Sequence, residues 1–181
     1  TDTTVVGDVT ILNGTATSST ATLVVGGSWQ VASGGIFDQP SGTTTFNSGD
    51  TGETIDPGLS SFYNLNFDGA SGGWNVIADA TTTNNFVLTA ASNFTLSTDT
   101  SIEVLGEFEN NVGGSATLWT GGTLFLNSGT DYTINSKGVG DLYDGTLLIG
   151  GNTDIRMWDS AATTTLVASN GSLYSQDHNS V

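Results

Sequence analysis

Short runs in which apolar and polar residues alternate recur along this chain, and no stretch shows the spacing of an amphipathic helix. In residues 62–68, Tyr63, Leu65 and Phe67 share one side of an extended chain, while polar residues occupy the other. Residues 93–97 and 131–135 repeat the alternation. Because successive side chains of a strand point to opposite faces, this pattern predicts an all-β protein built from half-buried strands.

Denser apolar runs predict further strands that are buried on both faces. They are Leu23-Val24-Val25, Phe86-Val87-Leu88, Leu124-Phe125-Leu126 and Leu147-Leu148-Ile149. Neighbouring runs lie about ten residues apart, a spacing typical of a β-sandwich or of a solenoid wound in successive coils.

Glycine pairs recur at fixed offsets and favour the solenoid. Gly26-Gly27 precedes Gly34-Gly35, and Gly113-Gly114 precedes Gly121-Gly122 with the same spacing, 87 positions later. Glycine pairs are typical of corners that need an unusual backbone conformation or a close approach, and corners of a solenoid stack from coil to coil. We therefore predict a parallel β-helix, that is, a β-solenoid.

Four dipeptides support the alternative, an antiparallel β-sandwich or jelly roll, because they favour tight hairpin turns. They are Asn13-Gly14, Asp68-Gly69, Asp144-Gly145 and Asn170-Gly171. The same dipeptides also suit the corners of a solenoid, so they leave both architectures open.

Charge and composition exclude several functions. The chain has eighteen acidic residues and only two cationic ones, Lys137 and Arg156, so its net charge is −16. This charge disfavours binding to nucleic acids and to anionic membranes. The chain has no cysteine, and no apolar stretch approaches the roughly 18 residues needed to span a bilayer. It begins with Thr1, and its one methionine is the internal Met157. We therefore expect a processed, exported protein with an extracellular or cell-surface location.

Three stretches resemble repeats of known proteins, namely residues 41–46, 62–67 and 72–76. Their Thr-rich, Phe-Tyr-Asn-Leu and Gly-Gly-x-Trp patterns are similar to those of large repetitive Thr/Gly/Asn-rich bacterial surface proteins. The resemblance covers residues 21–181. It implies a right-handed parallel β-helix at the cell surface, with a structural or adhesive role and no cofactor.

The N-terminal segment does not obviously begin a repeat, so we divide the chain into residues 1–20 and a solenoid domain of residues 21–181. Residues 3–12 are strongly β-forming and apolar. One hypothesis makes this segment a donor strand that inserts Val5, Val9 and Ile11 into another copy. The alternatives are that it caps the solenoid or pairs within its own chain.

Candidate catalytic residues are few. His178, the one histidine, lies in the polar stretch 175–180 near the end of the sequence, where a surface role is the simpler interpretation. Glu107 and Glu109 flank Phe108 and share one strand face, as paired carboxylates of a glycoside hydrolase could. The simpler interpretation is that the two glutamates face solvent, on the side of the strand opposite a buried Phe108. We predict no enzymatic activity.

Calcium is the one cofactor for which the sequence offers candidate ligands. Asp141 and Asp144, or Asn152, Asp154 and Asp159, would supply hard oxygen ligands in turns. Neither set matches a known calcium loop, and turn capping by Asp and Asn is the simpler interpretation. We expect no cofactor.

The tryptophans allow two interpretations. Trp29, Trp74, Trp119 and Trp158 are separated by 45, 45 and 39 residues, as in a stacked core column with one aromatic per repeat. Exposed tryptophans would instead suit stacking on sugar rings. We favour the core.

Three triplets also fit the N-glycosylation pattern: Asn13-Gly14-Thr15, Asn93-Phe94-Thr95 and Asn170-Gly171-Ser172.

Together these features predict a non-enzymatic, extracellular structural protein, a subunit or segment of a surface fibre or adhesin stalk that assembles head-to-tail through terminal strands. The alternative is a carbohydrate-binding or adhesive β-module that uses exposed aromatics. The expected partners are further copies of the chain, with glycans or other surface components as candidates, and neither nucleic acid nor a membrane interior.

Overall fold

The computed structural model describes residues 1–18, 21–113, 116–119, 121–130, 132–134, 140–150, 154–157, 161–168 and 172–175. Strands dominate these residues, in agreement with the alternating sequence pattern. They are β1 (Thr3–Val5), β2 (Val9–Thr17), β3 (Thr22–Val25), β4 (Trp29–Asp38), β5 (Thr43–Phe46), β6 (Glu53–Asp56), β7 (Asn64–Val76), β8 (Ala80–Thr82), β9 (Phe86–Leu96), β10 (Ser101–Val104), β11 (Phe108–Asn110), β12 (Thr117–Leu118), β13 (Thr123–Leu126), β14 (Tyr132–Ile134), β15 (Gly140–Ile149), β16 (Asp154–Met157), β17 (Ala161–Ala168) and β18 (Ser172–Ser175).

Successive coils of the chain stack in parallel register, which confirms the predicted β-solenoid. On the first side the order is β1-β3-β5-β7-β9-β11. Val5, Val25, Phe46, Phe67 and Leu88 form one column on this side, and consecutive members are 20 or 21 residues apart. Every strand pairing in the described part of the chain is parallel, so the antiparallel sandwich and jelly roll are wrong.

Two further sides complete each coil. The second stacks the first parts of β2 and β4, then β6 and the later halves of β7 and β9, and ends with β12. The third is a five-stranded sheet in the order β8-β10-β13-β15-β17. Strands β14, β16 and β18 form one more parallel sheet in the last part of the chain. Because β7 and β9 run through a corner, they join the first side to the second.

The dipeptides that favour hairpins mark corners instead. Asn13-Gly14 lies inside β2, Asp68-Gly69 inside β7 and Asp144-Gly145 inside β15, and each accompanies a shift in strand register. A register shift bends the strand and turns the chain from one side of the coil to the next. Asn170-Gly171 lies outside the described residues.

Aromatic side chains fill the interior as a continuous column. Phe46 stacks on Phe67 with ring centroids 5.1 Å apart, and Phe67 meets the edge of Phe94 at 4.7 Å. Edge-to-face contacts suit the charge distribution of the rings. The aromatic side chains that are fully buried are Trp29, Phe46, Phe62, Phe67, Trp74, Phe86, Phe94, Phe108 and Trp119. The core therefore runs along the axis of the solenoid, and its ends are where apolar side chains can reach solvent.

Candidate functional site at the open end of the first coil

Residues 2–17, here called the first coil, pair with residues 22–38 of the same chain, here called the second coil. Thr3 and Val5 of β1 align with Leu23 and Val25 of β3. Strand β2 aligns with β4 from Val9 onwards. The hypothesis that this segment pairs within its own chain therefore describes the observed arrangement, and the segment is integrated as a coil of the solenoid.

The opposite edge of this coil has no strand beside it among the described residues. We call the outer edge of β1 and β2 the open edge. In a parallel sheet such an edge presents unpaired N–H and C=O groups, which can template the addition of another strand.

Hydrogen bonds between the first two coils identify the groups on the open edge. Val5 O accepts a hydrogen bond from Gly26 N at 2.8 Å, and Val9 N donates to Ser28 O at 2.9 Å. Val5 and Val9 therefore direct their backbone groups toward the second coil. Because successive residues of a strand direct these groups to opposite edges, Thr4 and Thr10 direct theirs to the open edge.

A groove of about 430 Å³ leads from the open edge into the core. Val5 and Val9 are half-buried at its mouth, whereas Ile11 is buried. Its deeper apolar wall includes Leu23, Trp29 and Phe37. All three residues predicted to insert into a partner thus line this groove and face the interior of their own coil. A partner bound at the open edge would cover these three side chains, and they would not insert into the partner.

Two aspartates fix the first coil to the second. Asp8 Oδ1 accepts a hydrogen bond from Ser28 N at 2.8 Å, and Asp2 Oδ1 accepts one from Thr22 N at 3.2 Å. These carboxylates satisfy backbone donors at coil corners, where the strand pairing stops. The open edge is therefore carried by an anchored coil and not by a loose terminal strand.

The tryptophans belong to the core, as predicted. Trp29 and Trp74 are 1% exposed and Trp119 is fully buried, so these three cannot offer a ring face to a sugar. The expectation of one tryptophan per repeat in one column is wrong, because a coil holds about 21 residues and Trp29 aligns with Ile55, which aligns with Val76. Trp158 lies outside the described residues.

The paired glutamates lie on the surface. Glu107 and Glu109 are exposed on either side of the buried Phe108, as the simpler interpretation predicted. Glu109 Oε1 accepts a hydrogen bond from Asn111 Nδ2 at 2.8 Å. Over the described ranges, no group of three or more His, Asp or Glu side chains is placed to hold a metal ion. His178 lies outside them.

The calcium candidates fall mostly outside the described side chains. Asp141 and Asp144 belong to β15, and Asp154 belongs to β16, so these three positions lie in strands rather than in the turns that the prediction assumed. Asn152 and Asp159 lie outside the described residues.

Polar side chains form bridges between coils that the sequence interpretation missed. Asn64 Oδ1 accepts hydrogen bonds from Asn84 Nδ2 at 2.7 Å and Asn85 N at 3.1 Å, and Asn64 Nδ2 donates to Gly42 O at 2.9 Å. Glu53 accepts hydrogen bonds from Ser28 Oγ at 2.6 Å and Ser48 Oγ at 3.1 Å. Asn64 and Asn85 are separated by one coil length, so the sequence would have indicated this bridge only if the coil length had been known.

No helix in the described part of the chain is long and apolar enough to cross a membrane. Comparison with known proteins found no matching family model, no similar curated protein and no similar solved structure.

Proposed function

We propose that this chain is a non-enzymatic structural protein of the cell surface, a subunit or segment of a fibre, filament or adhesin stalk that assembles through the ends of its solenoid. The observation that carries the proposal is the open edge. Its backbone groups at Thr4 and Thr10 have no strand beside them among the described residues, and it adjoins a groove whose deeper wall is apolar. Another coil placed there would satisfy the backbone groups and bury the groove lining.

Parallel stacking supports head-to-tail assembly. The two ends of a parallel solenoid differ, because one end presents the outer edge of its first coil and the other presents the outer edge of its last. A contact between unlike ends can continue the parallel pairing and leaves a new open edge on each side. Such a contact repeats without closing and produces a filament.

The surface charge agrees with this role. A net charge of −16 makes the long sides of neighbouring filaments repel one another, whereas the open edge depends on backbone hydrogen bonds and apolar contact. The acidic surface would therefore oppose sideways bundling while allowing end-to-end growth. It also disfavours nucleic acids and anionic membranes as partners.

Proline at the open edge tests the proposal. In the double variant T4P/T10P each proline removes one N–H that points away from the second coil, so no hydrogen bond within the solenoid is lost. We expect this variant to keep its strand content by circular dichroism and to lose filaments in negative-stain electron microscopy. The matched control T4A/T10A keeps both N–H groups and should assemble like the parent chain.

Two outcomes would contradict the proposal. The first is a parent chain that stays monomeric at every accessible concentration, measured by light scattering. The second is a T4P/T10P variant that forms the same filaments as T4A/T10A, since the open edge would then take no part in assembly.

A further inference from the structure

Asn13 and Gly14 are exposed in β2, at the corner where the first coil turns. Gly14 has a φ of 76°, a conformation that residues with a side chain rarely adopt. The register of β2 against β4 also shifts between Ile11 and Asn13. The backbone is therefore sharply bent at an Asn-Gly sequence on the surface.

The side chain of Asn13 lies against the next backbone nitrogen. Gly14 N donates a hydrogen bond to Asn13 Oδ1 at 2.9 Å. This contact keeps the carboxamide carbon Cγ beside the same nitrogen. Apart from Gly14 and its two chain neighbours, no residue has an atom within 4 Å of the position that a Cβ of Gly14 would occupy, so no other part of the chain obstructs that nitrogen from this side.

We infer that Asn13 is a site of spontaneous deamidation. The Gly14 nitrogen loses its proton and bonds to Asn13 Cγ, while the Cγ–Nδ2 bond breaks and Nδ2 leaves as ammonia. The product is a five-membered cyclic imide. Water then opens the imide at either carbonyl, which leaves an aspartate or its β-linked isomer at position 13.

Asn93 provides an internal comparison. It is also exposed, but the residue that follows it lies in a different environment from Gly14. The next residue, Phe94, is fully buried and pairs with Trp74 on one side and Thr117 on the other. Its nitrogen is held in the middle of a sheet, where closing a ring onto Asn93 would break the pairing. We expect Asn93 to remain unmodified in the folded protein.

The β-linked product would alter the first coil. It routes the main chain through Cβ and lengthens it by one carbon at the point where Asn13 aligns with Gly34 and Gly14 with Gly35. The residues that follow would lose their register with the second coil. As the β-linked product accumulates with time, the first coil would therefore lose its regular pairing with the second coil.

The experiment incubates the folded 181-residue chain at mildly alkaline pH and follows each asparagine by peptide mass spectrometry. We expect the mass change of amide-to-acid conversion at Asn13, divided between two chromatographic products, and none at Asn93. The N13Q variant should lose the conversion, because its longer side chain cannot close the five-membered ring.

A sample unfolded in urea separates a structural effect from the sequence alone. We expect the folded chain to convert Asn13 at least as fast as the unfolded chain, and hydrogen exchange at residues 15–17 to quicken as the product accumulates. The inference is overturned if Asn13 converts no faster than Asn93 in the folded chain, or if conversion occurs only after unfolding.

Discussion

Phe67 shows how single residues hold the coils of this solenoid together. Its ring lies 5.1 Å from Phe46 in the coil before, 4.7 Å from Phe94 in the coil after and 5.1 Å from Trp74 in its own coil. It is fully buried. A side chain that contacts three coils contributes to two stacking interfaces. Its loss would therefore weaken the packing on both sides of its own coil.

We predict that Phe67→Ala lowers the free energy of unfolding by about 3–5 kcal/mol, because it leaves a cavity between rigid neighbours. Denaturant unfolding followed by tryptophan fluorescence measures this change. Leu59→Ala serves as the control, since Leu59 is 99% exposed and its loss should cost less than about 0.5 kcal/mol. Equal effects of the two substitutions would show that the aromatic column does not determine stability.

At the scale of elements, the strands are joined by polar bridges as well as by the aromatic column. Thr89 Oγ1 donates to Asn66 Oδ1 at 2.7 Å, which links β9 to β7 on the outside of the first side. Asn64 makes a larger set of bonds, because it contacts both the coil before and the coil after its own. A bridge to two coils fixes the order and register of three stacked strands.

We predict that Asn64→Ala lowers the free energy of unfolding by about 1–3 kcal/mol, because it leaves partly buried donors and an acceptor without partners. Asn66→Ala should have a smaller effect, since the residue accepts its bond from an exposed threonine on one side only. Thermal unfolding of both variants checks the difference. Equal melting temperatures would show that the bridge on Asn64 adds nothing to register.

At the scale of the whole molecule, stability should vary along the axis of the solenoid. Each coil contacts mainly the coils before and after it, so a central coil gains two stacking interfaces and the first coil gains one. The open edge adds backbone groups that lack partners among the described residues. The first coil is therefore expected to open locally more often than the coils around β7.

Hydrogen exchange checks this expectation. We predict that amides of β1 and β2 exchange faster than those of β7 and β9 in the monomeric T4P/T10P variant. In assembled parent chain the difference should shrink, because a neighbouring copy would cover the open edge. Uniform protection along the monomer would show instead that the solenoid unfolds as one cooperative unit.

Much of this architecture could be predicted from local features of the chain. Tyr63, Leu65 and Phe67 alternate with polar residues, and this alternation alone predicts strands. The buried tryptophans and the exposed Glu107 and Glu109 also followed from residue type, because burial of an aromatic ring is favourable and burial of a carboxylate is costly. These predictions needed no knowledge of which strands meet.

Pairing partners could not be predicted in the same way. Asp68-Gly69 is compatible with both a hairpin and a solenoid corner, since both need a sharp turn. The coil length was also hidden, because the spacing of 45 between Trp29 and Trp74 spans about two coils and the two side chains occupy different columns.

The sequence by itself thus determined the class of structure, an acidic all-β chain with an aromatic core, because strand period, burial preference and charge are properties of single residues and short segments. Only the tertiary structure decided that the strands are parallel, that Val5, Val9 and Ile11 face their own coil, and that Thr4 and Thr10 lie on an open edge. The reason is that pairing and register depend on contacts between residues about one coil apart, and many alignments of a repetitive chain satisfy the same local pattern.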